Sequence, residues 1–162
     1  MKRGFANESP KNETFEWYTP PEIFQALGCR FDLDPCAPID ESKRIVQADD
    51  FYSERDDGLS KQWVGFVFMN PPYGKHTVVW MRKFCEHGDG IALVFARTDN
   101  GWFQELPENA VVLFLRRRVR FIKQDGSRGG NPGAGSMLIG IGGKAVRALA
   151  NCNLGRMFEV MP

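Results

Sequence analysis

The sequence predicts an α/β fold with a mostly parallel sheet and an antiparallel C-terminal edge. Three observations carry this. Short apolar, β-branched or aromatic runs alternate with stretches of helical spacing. The runs "FVFM" and "IALVF" are apolar throughout, as strands buried on both faces must be. Late in the chain, "AVVLFL" and "SMLIGIGG" are joined through the glycine-rich "GSRGGNPGAG" with no helical stretch between them, which suggests an antiparallel pair.

Taken in order, residues 1–16 are polar and are expected to be loose. "TPPEIFQALG" predicts a helix: Thr19 stands as N-cap, prolines occupy the first turn, Ile23, Phe24 and Leu27 recur at helical spacing, and Gly28 stops it. "CRFDLDPCA" reads as a short strand broken by Pro35. "DESKRIVQADDFY" is one helical turn or irregular chain. A buried strand in "WVGFVFMN" leads to a helix in "HTVVWMRKFCEHG" that ends at Gly88. "GIALVFART" is the next buried strand, "NGWFQELPEN" a short helix, and "AVVLFLRRRVRF" a third strand. "SMLIGIGG" is a fourth, and "KAVRALANCNLGRMFEVMP" gives a helix and a terminal strand. The 162 residues suit one domain, 1–162, with no separate recognition domain.

Composition narrows the functional classes. At 43% hydrophobic and 25% charged, with a net charge of +1, the chain is an ordinary globular one with no global field that demands a nucleic-acid partner. No apolar run approaches the roughly 18 to 20 residues of a membrane span, and the N-terminus lacks a signal-peptide core, so a cytoplasmic protein is expected. The four cysteines lie far apart with no C-x-x-C pair. Free thiols are expected, and no metal site. Charge is uneven, however. Residues 116–128, "RRRVRFIKQDGSR", carry six basic side chains and one acidic one, a local phosphate-binding face or a charge-guarded strand edge.

The most informative stretch is "FVFMNPPYGK", residues 66–75. A buried strand runs straight into Asn70-Pro71-Pro72-Tyr73, where two prolines remove two donors and fix two φ angles. In open α/β sheets, ligands bind beyond the carboxyl ends of strands. A stiff, carbonyl-rich tip carrying an amide and a flat ring suits a planar amine, with Asn70 Oδ1 and the Pro71 carbonyl accepting its two N–H groups and Tyr73 stacking on its ring. That is the chemistry of methylating an amino nitrogen such as adenine N6.

"NPPYG" resembles the catalytic motif of the amino-group DNA methyltransferases, and the surrounding chain resembles the small phage-type DNA N6-adenine methyltransferases. The likeness runs over residues 17–142 through "WYTPPEIF", "FDLDPCA", "DGLSKQWVG", "VFMNPPYG", "ARTDNGWF", "RRRVRF" and "SMLIGIG", in that order. It implies an abbreviated Rossmann-like class I methyltransferase fold, S-adenosylmethionine as methyl donor, and adenine in DNA as substrate. It also implies a phage or prophage origin, hence the host cytoplasm, and a place in DNA methylation or restriction-modification. By the same resemblance Asp34 and Pro35 look like the donor motif, and Tyr18, Thr19 and Pro20 resemble the segment that packs against the donor's methionine end. Asp57 is placed like the residue that meets the donor's adenine, and by analogy with nucleotide folds Asp50 or Asp49 holds its ribose. One departure stands out. "DPCAPIDESKR" has no glycine where many such enzymes have Gly-x-Gly, which implies a reduced donor pocket or weak donor binding.

Adenine N6 lies on a Watson–Crick edge, so the target must be flipped from a duplex or presented in a single strand. Arg116, Arg117, Arg118, Arg120, Lys123 and Arg128 would meet the phosphates, with strand alternation limiting how many share one side. The loop "GSRGGNPGAG" could close over DNA or substrate. Trp17 and Trp102 flank motifs and could line the site or the core. Without a recognition domain, a short or relaxed target is expected, or specificity shared in a homodimer. Alternative acceptors are RNA or a protein amide, and a non-catalytic nucleic-acid-binding relic is the third reading.

Overall fold

The computed structural model describes residues 17–161, and the polar segment 1–16 lies outside the described residues. The first helix, α1 (Pro21–Leu27), turns Ile23, Phe24 and Leu27 inward and ends at Gly28, whose φ of 61° is a left-handed conformation that glycine adopts without strain. Its N-cap is Pro20, not Thr19. Thr19 is buried, and no side-chain cap is made, because the proline at the N-cap has no side-chain acceptor. Then come β1 (Phe31–Asp34), a single 3-10 turn (Glu41–Lys43) and β2 (Ala48–Phe51). The ambiguous "DESKRIVQADDFY" is thus half turn and half strand. β3 (Val67–Met69) is shorter than its apolar run and leads to α2 (Thr77–His87), capped by left-handed Gly88. β4 (Gly90–Phe95), α3 (Gly101–Gln104), β5 (Ala110–Leu115), β6 (Ser136–Ile141), α4 (Gly143–Asn151) and β7 (Gly155–Glu159) complete the order.

The seven strands form one sheet in the order β2-β1-β3-β4-β6-β5-β7. β2, β1, β3 and β4 pair in parallel, while β4–β6, β6–β5 and β5–β7 pair antiparallel. The parallel core and antiparallel C-terminal edge match the expectation, and β7 extends that edge. No α-helix joins β1 to β3, so one strand–helix unit is abbreviated to a turn and β2.

Strand alternation gives the sheet two apolar faces. Ile91 and Leu93 of β4 pack with Phe24, Phe31, Phe68, Leu138 and Leu149 under α1 and α4. Ala92 and Val94 pack with Met69, Met81, Phe84, Met137 and Trp102 under α2 and α3. Burying the Leu, Ile, Val, Phe and Met side chains among these, roughly 1.5–3 kcal/mol each, fixes the sheet between two helical layers. Trp102 is part of this core, 6% exposed, and so does not line the site. All four cysteines are free. No described helix is long and apolar enough to cross a membrane.

The predicted third strand is shorter than its sequence run. β5 stops at Leu115, and Arg116 instead gives its amide to Leu154 O at 3.0 Å. Residues 121–129 turn back as a small hairpin: Ile122 and Arg128 form an antiparallel bridge, and Gly126 closes the turn at φ 82°. Tyr18 pairs with Ile122 through bonds of 2.9 Å in both directions, so the N-terminal segment adds itself to this hairpin. Long-range pairing has overridden the local β propensity of "RRRVRF". The strand alternation argued for its arginines does not apply.

Candidate active site

The four parallel strands place their carboxyl ends along one edge of the sheet. Asp34 closes β1, Asp50 stands near the end of β2, Asn70 follows β3 and Phe95 ends β4. Asn70, half-buried, donates from Nδ2 to Trp17 O at 3.1 Å, and its Oδ1 accepts from the Tyr73 hydroxyl at 3.0 Å. A backbone carbonyl can only accept, so the amide nitrogen must face Trp17 and the oxygen must face Tyr73. Pro71 is buried and Pro72 exposed, and the Pro72 carbonyl accepts from Thr77 Oγ1 at 3.0 Å at the start of α2. Gly74, at φ 106°, supplies a turn that a side chain would strain.

Tyr73 is folded back rather than open. Its ring stacks on Phe95 with centroids 4.2 Å apart and planes 27° apart, and Phe121 meets it edge-on at 6.0 Å. Burial pushes its hydroxyl pKa well above the ordinary tyrosine range, so it stays a donor. The sequence marks Asn70 as an acceptor and Tyr73 as a flat face, and the structure adds a hydrogen bond between the two side chains. Asn70 Oδ1 accepts from the Tyr73 hydroxyl with one of its two lone pairs and keeps a second acceptor position.

Trp17 is held by the 121–129 hairpin. A Cβ on Gly129 would stand 2.5 Å from the Trp17 ring, so only glycine allows that approach. Arg128 makes a two-bond ion pair with Glu22 of α1, its second contact at 3.0 Å, and the pair locks the hairpin against that helix. The Arg128–Glu22 bonds lower the Glu22 pKa and raise that of Arg128. Arg118 donates to Pro132 O at 2.5 Å and Arg120 to Gly129 O at 3.3 Å, bonds to carbonyls that leave both charges unneutralised. Arg116, Arg117, Arg118 and Arg120 are exposed, while Lys123 is half-buried.

The other strand ends collect acids. Asp34 is 3% exposed, and its Oδ1 accepts from the Cys36 amide at 3.0 Å. Burial pushes its carboxyl up to about 7, against the pull of that amide and of the Arg44 charge. A buried acid so poorly compensated suits a ligand cation. Asp49 pairs with exposed Arg30 at 2.8 Å, which leaves exposed Asp50 as the uncommitted acid of β2. Asp57 adopts φ 53°, and its carbonyl accepts from the Ser60 amide and hydroxyl, each at 2.9 Å. Its neighbour Gly58 packs so closely on the Pro35 carbonyl that a Cβ would collide. The strap carrying Asp57 is tied to α2 by Lys83, whose Nζ donates to Leu59 O at 2.7 Å and Lys61 O at 2.6 Å, and is closed on itself by Trp63 Nε1, which donates to Gly58 O at 2.8 Å. Tyr18, Thr19 and Pro20 are all buried beside Asn70's anchor at Trp17.

Sequence reasoning missed Phe95 and Phe121, the two rings around Tyr73. Only their places in apolar runs marked them. A separate surface cleft of about 280 Å³, lined by Pro21, Phe24, Gln25, Cys29, Arg30 and Gln47 among others, contains none of the candidate catalytic, donor-binding or DNA-binding residues. Among the described residues, no group of three or more His, Cys, Asp or Glu is placed to hold a metal. Compared with known proteins, residues 6–144 match the family model described as DNA N-6-adenine-methyltransferase (Dam). No curated protein and no solved structure matches the chain.

Proposed function

The chain belongs to the DNA N-6-adenine-methyltransferase (Dam) family, and on that premise we propose that it methylates adenine N6 in DNA with S-adenosylmethionine, using Asn70, Pro71, Pro72 and Tyr73 on a base held outside the stack. The observation that carries the residue assignment is the pose of Asn70. Its amide is oriented by the Trp17 carbonyl so that its oxygen points to the Tyr73 side, at the carboxyl end of a parallel strand.

The lone pair of adenine N6 is delocalised into the ring and attacks poorly. When bound, S-adenosylmethionine supplies the electrophilic methyl group. Asn70 Oδ1 and the Pro71 carbonyl accept the two amine N–H groups and favour a nitrogen whose lone pair stands out of the ring plane. One of those protons turns acidic only as the N–C bond forms, and it is then lost to water, so no strong base is needed. The two prolines keep the acceptors from moving during the step, which places much of the acceleration in orientation. Tyr73 leaves Phe95 and lies on the base.

Asp34 holds the donor's ammonium group, Asp50 its ribose and Asp57 its adenine, with Tyr18, Thr19, Pro20 and Pro35 walling the methionine end. The fit of Asp34 is supported by its burial and raised pKa, which a ligand cation would relieve. Arg116, Arg118, Arg120 and Lys123 contact phosphates. Arg128 contributes through its ion pair with Glu22, which positions the hairpin.

Transfer of labelled methyl from S-adenosylmethionine to unmethylated DNA, RNA and protein tests this reading. Label recovered as N6-methyldeoxyadenosine supports it. Label confined to RNA or glutamine amide moves the acceptor, and no transfer with no donor binding at millimolar concentration identifies a non-catalytic relic.

A further inference from the structure

Among the described residues, Ser136 Oγ is a buried side-chain oxygen with no hydrogen-bond partner, in a residue only 2% exposed. A buried hydroxyl left unmatched is a net cost to folding, and such groups are few in natural structures. Alanine would fill the same place without that cost.

The position of this hydroxyl suggests the use. Ser136 is the first residue of β6 and stands directly opposite Phe95 in the β4–β6 ladder. Residues opposite each other in an antiparallel pair project to the same face with Cβ atoms roughly 4.5–5.5 Å apart. Phe95 is the ring on which Tyr73 stacks, and the Tyr73 hydroxyl holds the oxygen of Asn70. Ser136 therefore lies on the face of the sheet that carries the Tyr73–Phe95 stack, one residue across from the ring that Tyr73 covers. Two things change when Tyr73 swings away. Asn70 Oδ1 loses its resting donor, and the space over Phe95 opens beside an unmatched hydroxyl.

We propose that Ser136 is a base-contacting residue: its hydroxyl hydrogen-bonds to a ring nitrogen of the flipped adenine when the base takes the place of Tyr73 over Phe95. Asn70 and Pro71 hold the exocyclic amine, and Ser136 reads the ring that bears it. A serine hydroxyl can donate to an acceptor nitrogen that a methylene or methyl group cannot satisfy. The inference rests on the adenine-methyltransferase reading above and adds the residue that distinguishes the target base from empty space.

The experiment begins with the wild-type protein and unmethylated DNA, with the methylated positions mapped by sequencing. No methylation at all overturns the function proposed above and this inference with it. With a mapped site in hand, binding is measured to two duplexes that differ at one position, adenine or an abasic residue, in the presence of S-adenosylhomocysteine. Ser136→Ala is expected to bind the adenine duplex about 5- to 30-fold more weakly and the abasic duplex unchanged, with a melting temperature equal to or above wild type. Ser136→Cys keeps the shape of the side chain and donates only weakly, so it is expected to follow Ser136→Ala. An adenine-to-abasic affinity ratio unchanged in both variants overturns the proposal while leaving the methyltransferase reading intact. An equal loss on both duplexes, or a lowered melting temperature with no change in the ratio, makes Ser136 structural and overturns it too.

Discussion

Tyr73→Phe tests whether the folded-back tyrosine is a latch. In the closed arrangement the Tyr73 hydroxyl gives Asn70 Oδ1 a hydrogen bond of 3.0 Å, and its ring lies on Phe95 at 4.2 Å. A hydrogen bond of this kind is worth about 1 kcal/mol net, and a stacked aromatic pair about 0.5–1.5 kcal/mol. Opening thus costs about 2 kcal/mol, which leaves the open form at a few per cent. Removing the hydroxyl deletes the first contribution and keeps the ring that stacks on the base. About 1 kcal/mol is a factor of about five, so Tyr73→Phe should hold kcat/KM for DNA or raise it up to about fivefold. Tyr73→Ala removes the ring as well, so the lost base stacking, worth about 1–3 kcal/mol, is offset by the opening cost of about 2 kcal/mol that no longer applies, and kcat/KM should stay within about fivefold of wild type. The assay is steady-state transfer of tritiated methyl to unmethylated DNA. A tenfold or larger loss in Tyr73→Phe would refute the latch, because the hydroxyl would then be needed in the reacting complex.

Two further outcomes follow from charge. The Asp34 carboxyl is held near 7 in the folded protein against an ordinary 3.8, so its ionisation opposes folding: the penalty is absent below pH 3.8, grows between 3.8 and about 7, and is constant above. Asp34→Asn should therefore raise the melting temperature more at pH 8 than at pH 4. A ligand ammonium group requires the ionised acid, so calorimetry should find S-adenosylmethionine bound about tenfold more weakly at pH 6 than at pH 7.5, and Asp34→Asn should bind weakly with no pH dependence. Equal donor affinity at both pH values would remove Asp34 from the site. DNA affinity should fall steeply with salt, and replacing Arg116, Arg118 and Arg120 together by Ala should flatten the log–log slope by up to about 3. An unchanged slope would place the phosphates elsewhere.

Local chemistry makes the strand tip legible in the sequence alone. The prolines after "FVFM" have to stop β3, and Gly28 and Gly88 have to end α1 and α2, because each effect acts within a few residues. What the sequence hides depends on partners far along the chain. Nothing local to "RRRVRF" says that Tyr18 pairs with Ile122, so the run reads as more strand, whereas it ends β5 and enters a hairpin. Arg128 reads as a phosphate contact because Glu22 is distant in sequence and adjacent in space. Thr19 looks like a cap because capping residues are recognised by type, and the buried Thr19 gives that place to Pro20. Asn70 is readable as a fixed amide, but its oxygen's resting partner is not, since the return of Tyr73 depends on Phe95 arriving from β4. Ser136 is one polar residue at the start of an apolar strand, and only its cross-strand neighbour gives it meaning.

The central claim is that the Asn70 oxygen holds the amine during methyl transfer, and single-turnover kinetics of Asn70→Ala test it most directly. With donor and DNA bound, the variant should transfer methyl about a thousandfold more slowly or not at all, while S-adenosylmethionine binds within about threefold of wild type. Transfer within tenfold of wild type would contradict the claim.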